Sequence, residues 1–151
     1  MKHLRHLAVR FIKSLSRKLP SNADLAEVEA ILLTAELILW QQLPPMDQRH
    51  SIVVMRRFLE RRPGAQPSEV RAALLHDIGK IEADLGVVGR VFATLIGRHS
   101  ERFTTYHDHE LIGSELLKDI GSDLITRQLV AGSKDSQFAG ALQDLSHADN
   151  I

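Results

Sequence analysis

The stretch Pro67-Ser68-Glu69-Val70-Arg71-Ala72-Ala73-Leu74-Leu75-His76-Asp77-Ile78-Gly79-Lys80 decides how this chain is read. A proline and an acid in the first turn open a helix. Alanine and leucine continue it, and Gly79 is expected to close it as a left-handed cap. Near the end of that helix a histidine and an aspartate stand side by side among Ala72, Ala73, Leu74, Leu75 and Ile78. Such groups are costly in apolar surroundings unless each is hydrogen-bonded or coordinated. Consecutive helix positions lie ~100° apart, so both can reach one ion if the helix end faces a pocket. An imidazole and a carboxylate together suit a borderline divalent metal. The plainer alternative is a histidine–aspartate pair that satisfies itself in the core.

Outward from this stretch the pattern is helical throughout. Upstream, Pro20-Ser21-Asn22 ends a first helix and offers a cap for the next. Ala23 to Leu43 is expected as one long helix, stopped by Pro44-Pro45, and Met46 to Arg61 as another. Downstream, Leu85 to Arg98 is an apolar helix and His99 to His107 a polar connection. His109 to Ile120 is a helix ended by Gly121, and Ser122 is the expected cap of Asp123 to Val130. Gly132-Ser133 breaks the pattern, and Asp135 to Asp149 is the last helix. No alternating strand pattern, repeat or linker interrupts this order, so residues 1–151 are expected to form a single all-α domain.

Composition narrows the function. The chain has 151 residues, 19 basic and 19 acidic, with 8 histidines and no cysteine. The absence of cysteine excludes a disulfide scaffold, a thiolate zinc site and a cysteine nucleophile, and fits a cytoplasmic location. Balanced charge and few aromatic residues give no support to a nucleic-acid partner. The charge is nonetheless uneven. Lys2, Arg5, Arg10, Lys13, Arg17 and Lys18 precede the first acid, while Leu4, Leu7, Ala8, Phe11, Ile12, Leu15 and Leu19 recur at helical spacing. Residues 1–20 are therefore a basic amphipathic helix. Docking of its apolar face on the core is the expected role, and contact with an anionic membrane is the minor alternative. The longest apolar stretch, Ala30 to Trp40, contains Thr34 and Glu36 and is too short to span a bilayer. It serves the core or a homo-oligomer contact equally well.

Ala72 to Lys80 resembles the signature of the HD superfamily of metal-dependent phosphohydrolases. His50, in Asp47-Gln48-Arg49-His50-Ser51, matches the family's first ligand. His109-Glu110-Leu111-Ile112-Gly113-Ser114-Glu115-Leu116-Leu117 is similar to its His-Pro-Glu-x-Gly-Ala-x-Leu-Leu element, and Ala148-Asp149 to its closing Ala-Asp. The resemblance covers about residues 46–151 and implies an orthogonal helical bundle of HD-domain type. It implies His50, His76, Asp77 and Asp149 around one divalent transition metal (Mn, Fe, Zn, Co or Ni). His109 would be an outer ligand or a bare pocket histidine. Where two-metal members carry a further histidine or histidine pair, this chain reads Leu129-Val130-Ala131-Gly132-Ser133-Lys134-Asp135, which argues against a second metal. His99, 22 residues after Asp77, is a weaker candidate for such a site.

The activity implied is hydrolysis of a nucleotide or another small phosphoester by a metal-activated water. Asp77 would be both ligand and the group that orients the nucleophile. Charge developing on the phosphoryl oxygens must be met by cations, and Lys80 and Arg49 are the nearest in sequence. Lys80 has a plain alternative, since a cation is favoured at a helix C-terminus anyway. Two other classes stay open at this point. One is a degenerate domain acting as a regulatory or ligand-binding module; the other is a di-iron oxygenase, which needs two firmly held metals.

Overall fold

The computed structural model describes residues 18–81 and 108–150. The amphipathic N-terminal segment, the Leu85–Arg98 helix, the polar connection and His99 fall outside these residues. The described residues form helices and no strand. They are α1 (Asn22–Ile31), α2 (Thr34–Trp40), α3 (Pro45–Arg61), α4 (Pro67–Leu75), α5 (Asp108–Asp119), α6 (Leu124–Val130) and α7 (Ala139–Asp149). Single 3₁₀ turns at Ile78–Lys80 and Ser136–Phe138 follow α4 and precede α7. Among the described residues no helix is long and apolar enough to cross a membrane.

Ser21 caps α1 as expected. Its hydroxyl accepts from Asp24 N at 3.1 Å, and its own N–H donates to the Asp24 carboxylate at 3.1 Å. The long helix expected over 23–43 is instead two. Leu32 and Leu33 are extended, and the Glu36 carboxylate accepts from Leu33 N at 3.0 Å, opening α2 afresh. Leucine and alanine favour an unbroken helix, but a local carboxylate that caps a new start competes with it. The break lets Leu32, Leu39 and Trp40 all turn inward. Trp40 is fully buried, so it belongs to the core and not to a surface contact.

The helix α4 is the hub. Val70, Ala72, Ala73, Leu74 and Leu75 are buried on nearly every side, as a helix enclosed by others must be. It packs against α3 and α6 and touches α1; α7 lies on α3, and α5 on α6 and the Ile78–Lys80 turn. Phe58, Ile52, Met55, Leu117 and Ile81 complete the core with Trp40.

Glycine marks the junctions, though not always as expected. Gly121 (φ 78°) and Gly132 (φ 65°) close α5 and α6 in the left-handed region. Each is followed by a serine whose N–H reaches back five residues, Ser122 to Leu117 O and Ser133 to Gln128 O. Gly79 is not left-handed. It is needed for a close crossing: a Cβ there would stand 2.0 Å from the His109 carbonyl oxygen. Gly113 faces it on α5, where a Cβ would lie 3.2 Å from Gly79 N. The cap of α6 is Asp123, whose carboxylate accepts from Thr126 N at 3.0 Å. Ser122, expected in that role, instead donates its hydroxyl to the buried Glu36. The last helix likewise starts later than expected, because Asp135 caps a 3₁₀ turn before α7 begins.

Candidate metal centre

His76 follows the last turn of α4, where backbone carbonyls lack helical donors. Its Nδ1 meets one of them, Ala73 O, at 2.9 Å. A carbonyl can only accept, so Nδ1 carries the proton, and the ring is locked with Nε2 pointing the other way. That Nε2 is buried and has no hydrogen-bond partner. Oxygens of Asp77 and Asp149 stand at 3.4 and 3.5 Å, near enough to feel its charge but not aligned to bond it. Burial opposes protonation of this imidazole, but the two carboxylates outweigh it and hold the pKa above its ordinary value.

His50 comes from the second turn of α3 and Asp149 from the end of α7. Their side chains meet, Nε2 to Oδ1 at 2.8 Å, across 99 residues of sequence. A carboxylate is disfavoured at a helix C-terminus, so helix preference does not explain Asp149. The hydrogen bond from His50, and then the close approach of His76, hold its carboxyl well below the usual carboxylate range against the opposing effect of burial. The His50 and His76 rings lie 5.7 Å apart, tilted by 59°. One donor atom from each of His50, His76 and Asp149 falls within 4.8 Å of the others, a group that could hold a metal ion.

The backbone under His50 is fixed from α2. Trp40 Nε1 donates to Ser51 Oγ at 2.9 Å, and Ser51 Oγ to Gln48 O at 2.9 Å. Gln48 Nε2 donates to Leu43 O at 2.9 Å and Gln41 O at 3.1 Å. This buried bonding ties the start of α3 to the end of α2, and nothing in the local sequence announces it.

The other expected site residues take separate places. Asp77 lies beside His76, but its carboxylate pairs with Lys80 Nζ at 2.6 Å and stands outside the three-residue group. Burial opposes the Lys80 ammonium, yet Asp77, Asp47 and Asp149 together raise its pKa. Asp47 was legible only as a favourable charge near the start of α3. It is buried, and its field reaches Lys80; its place one turn before His50 is the signal that would have found it. His109 is on α5, with its backbone against Gly79 and its Nδ1 buried without a partner. It too stands outside the group. Arg49 is half-buried on α3 next to His50.

Comparison with protein-family models, with curated proteins and with solved structures finds no match. The site is therefore read from its own residues. Two imidazoles and a carboxylate suit borderline divalent ions such as manganese, iron, cobalt, nickel or zinc. The unbonded Nε2 of His76, oriented through its opposite nitrogen, is the arrangement found behind metal-bound histidines. Three carboxylates around one ammonium add negative field to the same place. The residues present thus fit a divalent metal.

Proposed function

We propose that this chain is a metal-dependent phosphohydrolase of the HD superfamily acting on a nucleotide or another small phosphoester. The observation that carries the reading is the meeting of His50, His76 and Asp149 from three separate helix positions, with His76 Nε2 buried and unbonded. These three would hold the metal, joined by Asp77 on release from Lys80. A bound divalent ion would supply Lewis acidity to a phosphoryl oxygen and a lowered pKa to a coordinated water.

The remaining work falls to the chain's own groups. Asp77 accepts a proton from the attacking water and so orients it toward phosphorus. Lys80, whose ammonium is kept charged by three carboxylates, turns to the phosphoryl oxygens as their charge grows. Arg49 adds a second cation from α3. The Ala73 carbonyl keeps the His76 ring in one tautomer throughout.

Metal content by elemental mass spectrometry, beside a phosphoester screen with the metal found, tests the reading. About one metal per chain in the parent, none in His76→Ala, and turnover lost in Asp77→Ala are the expected results. No metal after soaking with manganese, iron, cobalt, nickel or zinc would overturn it. The pairing of Asp77 with Lys80 favours one second reading, a module that binds a phosphorylated ligand without turning it over. Metal and ligand binding with no turnover of any phosphoester would select it.

A further inference from the structure

One carboxylate oxygen at the metal centre has two neighbours. Asp77 Oδ2 lies 2.6 Å from Lys80 Nζ and 3.4 Å from His76 Nε2. The first is a charge-assisted hydrogen bond, the second a close approach without one. His76 Nε2 is buried and unbonded, and Asp149 Oδ1 stands 3.5 Å from it. An ion held by His76 and Asp149 would therefore have within reach the oxygen on which the Lys80 ammonium rests. The backbone here leaves little freedom. Lys80 N donates to Asp77 O at 2.9 Å, and Gly79 between them is pressed against the His109 carbonyl with no room for a Cβ. The side chains differ in freedom. That of Asp77 is 19% exposed and that of Lys80 40%, so the carboxylate is enclosed while the ammonium, on its flexible stem, can swing into water.

Two cations on one carboxylate oxygen repel each other, and an oxygen already paired with an ammonium gives less to a divalent ion. We propose that Lys80 competes with the metal for Asp77, and that a phosphate-type anion favours the metal by drawing the ammonium to itself. This rests on the metal-centre reading above and adds its regulation. The ion is held firmly when a phosphorylated ligand is present and weakly when it is not. By linkage, the ion tightens the ligand by the same factor. The charges of Asp47 and Asp149 also reach the Lys80 ammonium and keep it near the site during the exchange.

The test is manganese binding to the full chain by titration calorimetry, with and without inorganic phosphate. The parent, Lys80→Met, Asp77→Asn and the double variant are compared. Without phosphate, Lys80→Met should bind manganese about tenfold tighter than the parent, and that gain should vanish in the Asp77→Asn background. Phosphate should tighten manganese about tenfold more in the parent than in Lys80→Met. A gain that persists in the Asp77→Asn background would make Lys80 a distant like charge and overturn the proposal. Equal tightening by phosphate in the parent and Lys80→Met overturns it too, since the anion would then act through the ion alone. Melting temperatures check folding, and Lys80→Gln should repeat the result of Lys80→Met. The two readings fail separately. Manganese binding that survives His76→Ala refutes the metal centre itself; binding lost in His76→Ala but unchanged in Lys80→Met refutes only the competition.

Discussion

Glu36 is a carboxylate almost completely out of water, held by the Ser122 hydroxyl, the Leu33 amide and the Arg71 guanidinium. It joins α2 to α4 and to the start of α6. Removing one partner of a buried charged set leaves the others unpaired, which costs more than the set itself contributes. Glu36→Ala is expected to destabilise by about 3 kcal/mol in urea unfolding. A loss below about 0.5 kcal/mol would mean that the network is not formed in solution. Arg71 also pairs with Asp123. Burial pushes the Asp123 carboxyl up, but the Thr126 amide, Arg71 and the Thr126 hydroxyl outweigh it and bring its pKa down to about 2. A carboxyl depressed on folding contributes stability above its unfolded pKa, near 3.8, and loses it as pH falls toward 2. Its side chain is 34% exposed, so screening leaves about 1 kcal/mol of that contribution. Urea midpoints taken from neutral pH down to acid should show this step in the parent, and Asp123→Asn should flatten it while still capping α6.

At the scale of elements, the turn after α4 depends on two glycines that let backbones cross. Gly79→Ala would drive a methyl into the His109 carbonyl, and backbone cannot yield as a side chain end can. We expect about 2–3 kcal/mol of destabilisation and reduced metal uptake, because the same turn carries Lys80 and follows directly on His76 and Asp77. Thermal melting and metal analysis on one preparation check both; an alanine variant with parent stability would show that the crossing is loose. The elements themselves were largely legible. Proline at the starts of α3 and α4, Ser21 before α1 and Gly121 after α5 each act through the chain next to them, so sequence alone places them. The break at Leu32–Leu33 was not legible, since Ala23 to Leu43 holds no proline or glycine. Its cause is a carboxylate whose other partners lie on α4 and beside α6. Ser122 was misplaced for the same reason: serine suits a helix start, but a distant acid claims its hydroxyl.

For the whole molecule, metal and folding should be linked. His50, His76 and Asp149 lie on three helix positions that meet only when α7 packs on α3 and α4 is in place. An ion bound to that group and not to the unfolded chain stabilises by about 2.7 kcal/mol at a hundredfold excess over its dissociation constant. Manganese is therefore expected to raise the melting temperature by several degrees. A chelator should reverse the rise, and Asp149→Asn should abolish it. An equal rise in that variant would place the ion elsewhere.

The sequence by itself determined that the described chain is helical, where most helices begin and end, and that the candidate ligands were His50, His76, Asp77, Asp149 and His109, of which His50, His76 and Asp149 form one group. Periodicity, prolines, caps and glycines act within a few residues, so they are read along the chain. Only the tertiary structure decided that these three side chains meet, that Asp77 turns to Lys80, and that Gly79 serves a crossing rather than a left-handed cap. It also decided that Trp40 anchors the backbone beside His50 through Ser51, that the charge of Asp47 reaches Lys80, and that Glu36 is buried between Arg71 and Ser122. Apart from the Asp77–Lys80 pair, which lies three residues apart, these outcomes rest on partners farther along the chain, brought near by burial of the core around α4, and no local pattern encodes such a contact.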